Sequence, residues 1–328
     1  MTVRSSPPRL SDDALRRLRD AAELPEPDPS RYLVLERVGR GGMGTVYRAR
    51  DVLLKRDVAL KVLHVGADSG DLAARLTQEA RTLARLEHPG IVPVHDVGVL
   101  ADGRPFYTMK LVHGHPLDDV VRGRRQPDLL RLFIRICEPM AFAHSRGIVH
   151  RDVKPQNVMV GEFGEVLVLD WGISKWASIG DALDTTAPGA DAGVDTAAGA
   201  IVGTRGYMAP EQARGESASV DARADVYSLG MLLTHMLSLG STRGMPRPLS
   251  AILRKATSVE PAVRYADAEA LAKDVLRFLA AERVQAHREN ILEQTLRLYR
   301  RHRILVLIVA AYLVVRLVLI LWQATTTP

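Results

Sequence analysis

The stretch His150-Arg-Asp-Val-Lys-Pro-Gln-Asn157, running on through VMV (158–160) and GEFGEVLVLDWG (161–172), decides how the chain folds. Its β-branched runs read as short strands, and the glycines and the proline between them as turns. Two acids, Asp152 and Asp170, then stand on loops beside those strands, with Lys154 and Asn157 close to the first. Phosphoryl transfer needs a base for the attacking hydroxyl, oxygen ligands for Mg²⁺ and a cation on the transferring group. Read that way, Asp152 accepts the hydroxyl proton, Lys154 neutralises the γ-phosphate, and Asn157 with Asp170 holds the metal. Mg²⁺ suits such a site because it takes hard oxygen ligands and keeps several waters. Two acids on loops are common, but this ordered set is not.

Upstream, GRGGMGTV (39–46) places Gly39, Gly41 and Gly44 at GxGxxG spacing between two strand-like runs. Glycines there let backbone N–H groups close over phosphates without side-chain clash. A dinucleotide-binding turn shares the spacing but should open a helix, whereas GTVYRARD reads as strand. Lys61 ends the apolar run DVALK, from which a point charge reaches the α- and β-phosphates; taken alone it would be a solvated lysine. Glu79 lies in LAARLTQEARTLARL (72–86), whose apolar residues recur at helical spacing, and a carboxylate there would pair with Lys61. Taken alone it is a helix-surface glutamate.

Length and composition fit this picture. A chain of 328 residues that is 47% apolar can bury a sizeable core. Strand patterns in YLVLERVG, GTVYRARD and DVALKVLHV, and again over 91–99 and 105–112, predict a small sheet, and helical periodicity dominates from Pro127. Residues 1–30, rich in proline, are expected to form a disordered arm with one short helix capped by Ser11. Residues 178–200, built from Ala, Gly, Asp and Thr, are expected to be a mobile loop. Cys137 lies in an apolar helical run and reads as a buried, inert thiol; without a disulfide framework the chain suits a reducing compartment. Net charge is +6, but arginines 297, 300, 301 and 303 crowd one flank, so the basicity does not point to nucleic acid.

By these ordered motifs the chain resembles the eukaryotic-like (Hanks-type) protein kinases, most closely the bacterial membrane-linked Ser/Thr kinases, from about Tyr32 to about Val284. The roles given above follow that family's template. The resemblance implies an α+β, two-lobed protein kinase fold, with a small β-rich lobe carrying one helix, a larger helical lobe, and ATP in the cleft. It implies cofactor contacts from Gly39, Arg40, Gly41, Gly42, Met43 and Gly44, with Val46 and Ala59 against adenine, Met109 as gatekeeper, and the backbones of Lys110 and Val112 facing the base. Thr204 resembles the residue that bonds the catalytic aspartate, Ala209, Pro210 and Glu211 the end of the activation segment, Asp225 the brace of the catalytic loop, and Arg264 the partner of Glu211. Arg151 before Asp152 implies control by phosphorylation, because the arginine needs an anion; the candidate acceptors are Thr185, Thr186 and Thr196. Mg²⁺, with Mn²⁺ as a substitute, and protein substrates bearing Ser or Thr complete the expectation, in bacterial signal transduction. Three departures stand out. Trp171 replaces the usual Phe, Lys110 the frequent hinge Glu, and the passage from LGMLLTHMLSLG through STRGMPRP to LSAILRKA leaves no room for the usual substrate-docking loop and helix. That gap keeps a catalytically silent scaffold open as an alternative; a small-molecule phosphotransferase fits less well, since GTRGYMAPEQ matches peptide-accepting kinases.

The C-terminal part carries a separate expectation. Residues 304–322, ILVLIVAAYLVVRLVLILW, rise about 1.5 Å each and nearly cross a core of roughly 30 Å. They read as a single transmembrane helix, against a buried core helix, which seldom stays apolar on every face. Arg316 at mid-span costs about 2.5–3.5 kcal/mol on insertion scales, which the surrounding Leu, Ile and Val outweigh. MTVRSSPPRL lacks the apolar region of a secretory signal. Arginines before the span and the uncharged QATTTP after it place the kinase part in the cytoplasm. The expected organisation is an arm over 1–30, a kinase domain over 31–284, a juxtamembrane helix over 285–303 continuing the last kinase helix and offering a dimer contact, the span 304–322, and an external tail 323–328 too short for a sensor. The lipid bilayer of a bacterial inner membrane is the implied location.

Overall fold

The computed structural model describes residues 24–41, 44–63, 86–171, 205–215, 220–241, 244–287, 308–309 and 311–316. The first lobe is an antiparallel sheet of β1 (Tyr32–Gly41), β2 (Gly44–Asp51), β3 (Arg56–Leu63), β4 (Val94–Val99) and β5 (Pro105–Lys110), in the order β1-β2-β3-β5-β4. Alternation along β3 explains why it sits centrally. Val58, Leu60 and Val62 join Tyr32, Tyr47, Leu100 and Phe106 in a small core on one face, while Ala59 and Leu63 join the main core on the other. The β2–β3 turn is closed by the buried Asp51, whose carboxylate accepts the Leu54 N–H at 3.0 Å.

The second lobe begins with β6 (Gly114–Pro116), which pairs with β7 (Val158–Gly161), itself paired with β8 (Val166–Val168). Its helices are α1 (Leu117–Val121), α2 (Gln126–His144), α3 (Pro210–Ala213), α4 (Ala222–Leu239), α5 (Arg247–Ala256) and α6 (Ala268–Leu279). Along α2, Leu129, Leu130, Phe133, Ile136, Cys137 and Met140 recur at helical spacing and are fully buried. The expectation for Cys137 is met, and burial pushes its thiol well above its ordinary range. Helix α4 starts at Asp221, whose carboxylate accepts the Arg223 N–H, and is buried on most sides. A Cβ at Gly230 would meet the Thr257 methyl at 2.7 Å, so glycine lets α4 and α5 approach.

Four sequence expectations change here. Residues 24–30 belong to the lobe and not to a disordered arm: Pro25 and Pro27 are buried and Leu24 packs on the small core. The strand expected over 91–99 begins only at Val94, because Ile91 bridges to Val168 instead, and the strand expected over 105–112 ends at Lys110. The helix expected to run unbroken to residue 303 stops at Leu279. Asp274 explains the break: fully buried, it accepts the N–H groups of Gln285 (2.6 Å) and Ala286 (3.0 Å) and the Tyr265 hydroxyl (2.8 Å), folding the chain back. By contrast the gap read after α4 is present. Residues 240–246 carry the chain from α4 to α5 with no helix among those described.

Of residues 304–322, Ile308, Val309 and Ala311–Arg316 are described; they are helical, with exposed apolar side chains. Among the described residues no helix is long and apolar enough to cross a membrane.

Candidate active site

The loop between α2 and β7 is set from beneath by one buried acid. Asp225, on α4, accepts the backbone N–H groups of His150 (2.7 Å) and Arg151 (2.8 Å). Arg151 takes a left-handed backbone, with φ of 66°, a conformation costing about 1–3 kcal/mol that persists only where its surroundings impose it. Those two bonds impose it, and Gln212 adds a third by donating to the Arg151 carbonyl at 3.2 Å. His144 closes the support: its Nδ1 accepts the Ala268 N–H (3.2 Å), which assigns the proton to Nε2, and this donates to Asp225 (3.0 Å). Burial alone would push the Asp225 carboxyl up, but the bonds from His144 and His150 hold it below its ordinary value.

His150 faces inward, with Nε2 against the Leu169 carbonyl (2.9 Å) and Nδ1 accepting the Asp152 N–H (3.2 Å). Burial keeps its imidazole neutral, with a pKa below the ordinary 6.5. On this base Asp152 meets the Lys154 ammonium at 2.8 Å and the Asn157 side-chain N–H at 3.1 Å, and Asn157 also donates to the Asp152 carbonyl at 2.8 Å. Because the Asn157 nitrogen is committed to Asp152, its side-chain oxygen is left as an acceptor for a cation.

Across the cleft, Lys61 reaches Asp170 at 2.7 Å. Register explains the roof: Val46 and Tyr107 stand opposite Lys61, and Met109 stands opposite Ala59. Val46, Ala59 and Met109 thus share the face that bears the lysine. Asp170 also has a left-handed backbone, with φ of 53°, and its second oxygen lies 3.4 Å from the Tyr107 hydroxyl. Trp171 turns away into the core, donating its indole N–H to the Val168 carbonyl (3.1 Å) and packing at a tilt against His150, with ring centroids 4.7 Å apart. The carboxylate of Asp170 and the amide oxygen of Asn157 are hard donors of the kind Mg²⁺ takes. Among the described residues no group of three or more His, Cys, Asp and Glu could hold a metal alone, so a cation here would need phosphate or water as well.

The expected Glu211–Arg264 pair is made. Arg264 donates to both Glu211 oxygens, at 2.6 and 2.8 Å. Burial pushes the Glu211 carboxyl up, and Arg264 more than reverses this, leaving it low. Glu79, Gly42, Met43, Thr185, Thr186, Thr196 and Thr204 lie outside the described residues. Sequence reasoning missed Tyr107, His144 and Gln212. Strand alternation would have found Tyr107, two residues before Met109 on one face; nothing local marks the other two.

The protein kinase domain family matches this chain over residues 32–281. The chain is 31% identical over 295 residues to the serine/threonine-protein kinase PknD of Protochlamydia amoebophila, covering 76% of this chain and 30% of that protein. It is 35% identical over 280 residues to PknB of Mycobacterium tuberculosis, covering 75% of this chain and 42% of the relative. The chain therefore spans less than half the length of these curated relatives. Among solved structures, the kinase domain of Mycobacterium tuberculosis PknI superposes with a TM-score of 0.55 at 27% identity, over 75% of this chain and 95% of that one.

Proposed function

The chain belongs to the protein kinase domain family, and from that premise we propose that it transfers the γ-phosphate of ATP to Ser and Thr hydroxyls of proteins, in bacterial signalling. The observation that carries this reading is the joint placement of Asp152, Lys154 and Asn157 on a braced loop facing the Lys61–Asp170 pair. Asp152 takes the hydroxyl proton, and Lys154, 2.8 Å away, offsets charge on the transferring group. Asn157 and Asp170 would hold Mg²⁺, which would supply charge neutralisation for the phosphates when bound. Lys61 orients the α- and β-phosphates beneath the glycine turn. The direct test is transfer of labelled γ-phosphate by the full-length chain, beside Asp152→Asn. Label on Ser or Thr that falls by about 10²–10⁴-fold in the variant supports the reading; equal label in both would remove Asp152 from the chemistry.

The finer parts rest on sequence and are proposed with it. The chain phosphorylates itself within residues 178–200, at Thr185, Thr186 or Thr196; mass spectrometry of ATP-treated protein without phosphate there would refute this. Residues 304–322 span the bacterial inner membrane as a single helix and hold the kinase at its cytoplasmic face, a reading supported by the exposed apolar side chains of Ile308, Val309 and Tyr312–Val315. Extraction of the protein by salt alone would count against an anchor. Self-association through the segment before that anchor is the remaining partner proposal, tested by sedimentation. One observation favours a second reading. The short passage from α4 to α5 holds no helix among its described residues, where the family resemblance implies one that docks protein substrates, so a scaffold that binds nucleotide without turnover would show binding and no label.

A further inference from the structure

The turn that joins α1 to α2 is pinned to the end of α4. The Gly123 N–H donates to the Leu239 carbonyl at 3.2 Å, and the Ser241 N–H donates to the Arg124 carbonyl at 2.9 Å. Gly123 takes a φ of 69°, a left-handed backbone open to glycine, and the chain reverses there into α2. The turn therefore stands beside the short α4–α5 passage, where the family resemblance implies a substrate-docking helix and none is found among the described residues. Helix α1 packs against Pro155–Asn157, which puts this surface next to the loop that carries Asp152.

Its charge is one-sided. Residues 122–135 hold five arginines, at 122, 124, 125, 131 and 135, against a single acid, Asp128. Arg125 and Arg131 share Asp128, at 3.1 and 3.0 Å, and their side chains stay 80% and 66% exposed. Arg122, Arg124 and Arg135 are exposed and have no acidic partner among the described residues. Of the two acids on α1, Asp118 is bonded to His235 at 2.8 Å, and Asp119 pairs with no arginine of the turn. The passage over 240–246 contains no acid.

We propose that these arginines seat the segment 178–200 of a second copy of the chain and so present its threonines to Asp152. That segment carries four aspartates, at 181, 184, 191 and 195, and neither lysine nor arginine. Asp184 adjoins Thr185, and Asp195 adjoins Thr196. Guanidinium forks match carboxylates, and complementary charge both speeds encounter and fixes orientation. Helix α1 rises about 1.5 Å per residue, so Arg122 stands roughly 8 Å beyond its first residue; an extended acceptor, at about 3.3 Å per residue, covers that length with two or three residues. Transfer then forms the bond from the threonine oxygen to the γ-phosphorus and breaks the bond to the bridging oxygen that leaves with ADP, while the hydroxyl proton passes to Asp152. The transfer half rests on the kinase reading of the cleft, whereas the seating half does not.

The test is fluorescence anisotropy of a labelled peptide of residues 178–200, titrated with the full-length chain in a neutral detergent without nucleotide. Arg122→Gln combined with Arg124→Gln should weaken binding about three- to tenfold, the scale of two partly exposed ion pairs, and added salt should weaken the wild type more than the variant. A peptide carrying Asp→Asn at all four positions should bind the wild type as weakly as the native peptide binds the variant. Equal affinity of the native peptide for wild type and variant, or no binding to the wild type, overturns the seating. So does a variant that keeps the peptide but loses affinity for vesicles of phosphatidylglycerol, which would assign the arginines to the bilayer. Adding ATP and Mg²⁺ separates the transfer half. The expected result is a peptide KM raised by the same factor in the variant, with the KM for ATP unchanged. Label with an equal peptide KM would show that the seat does not serve transfer, while a seated peptide that takes no label would count against the kinase reading and leave the seat standing.

Discussion

Glu211 and Arg264 form one ion pair of this fold and Lys61 and Asp170 another, and the two sit in opposite surroundings. The side chains of the first are 6% and 0% exposed, those of the second 7% and 32%. Every N–H of Arg264 has an acceptor: both Glu211 oxygens and the carbonyls of Arg223, Ser258 and Val259. Nothing further can bind there, and the pair fixes the α3 end of the activation segment to the helical lobe. Lys61 is placed by the sheet and Asp170 by a left-handed turn, with only the Tyr107 hydroxyl, at 3.4 Å, beside its second oxygen, and the carboxylate stays a third exposed. A saturated pair is scaffold; an unsaturated pair is poised for a ligand with charges of its own.

The most forceful way to break this contrast is Arg264→Leu. It strands the Glu211 carboxylate in the core, and breaking a buried pair on one side costs about 3–5 kcal/mol. Denaturant melts should show that loss; a change below about 1 kcal/mol would show that the pair is not scaffold. On the other side, Lys61→Met should leave the melt within about 1 kcal/mol, because Asp170 can be hydrated. Turnover should fall by about 10²–10³-fold, as for loss of one preorganised charge contact. A variant that melted early and kept its turnover would invert the comparison.

The same contrast explains what could be read from the chain without coordinates. Contacts tied to short, ordered motifs were legible: Asp152 meets Lys154 and Asn157, Glu211 finds Arg264 across 53 positions, and Asp225 braces His150 and Arg151. The small sheet was legible because alternation in β2 and β3 is strong. What was not legible depends on contacts remote in sequence. Helical periodicity persists beyond α6, but Asp274 captures the amides of Gln285 and Ala286 and ends the helix. Nothing in AFAH marks His144 as a bridge between Ala268 and Asp225. The residue inserted in β1 between Arg37 and Gly39 has no local signature either, since only the register against β2 reveals it.

Acid offers a graded probe of the saturated side. His150 is buried neutral, with its pKa below the ordinary 6.5, so the unfolded chain binds the proton more readily. Its contribution is fully present above about pH 6.5 and is lost as pH falls below that value. Asp225, held below its ordinary 3.8, keeps its contribution above that pH and loses it only in stronger acid. Thermal melts between pH 8 and pH 5 should therefore decline below about 6.5, and His150→Asn should flatten that decline. An unchanged slope in the variant would remove His150 as the cause.

The smallest effect should come from Trp171, which touches both sides of the contrast. Its neighbour Asp170 carries the open carboxylate, while its own indole is buried against His150 and bonded to the Val168 carbonyl. Trp171→Phe removes that bond and some volume, costing about 1–2 kcal/mol. The ring stays apolar and in place, so the backbone of Asp170 should keep its left-handed turn and turnover should change by less than about threefold, under 1 kcal/mol. If turnover instead fell with stability unchanged, the indole would be tuning the position of Asp170, and the open pair would depend on the saturated core more closely than its exposure implies.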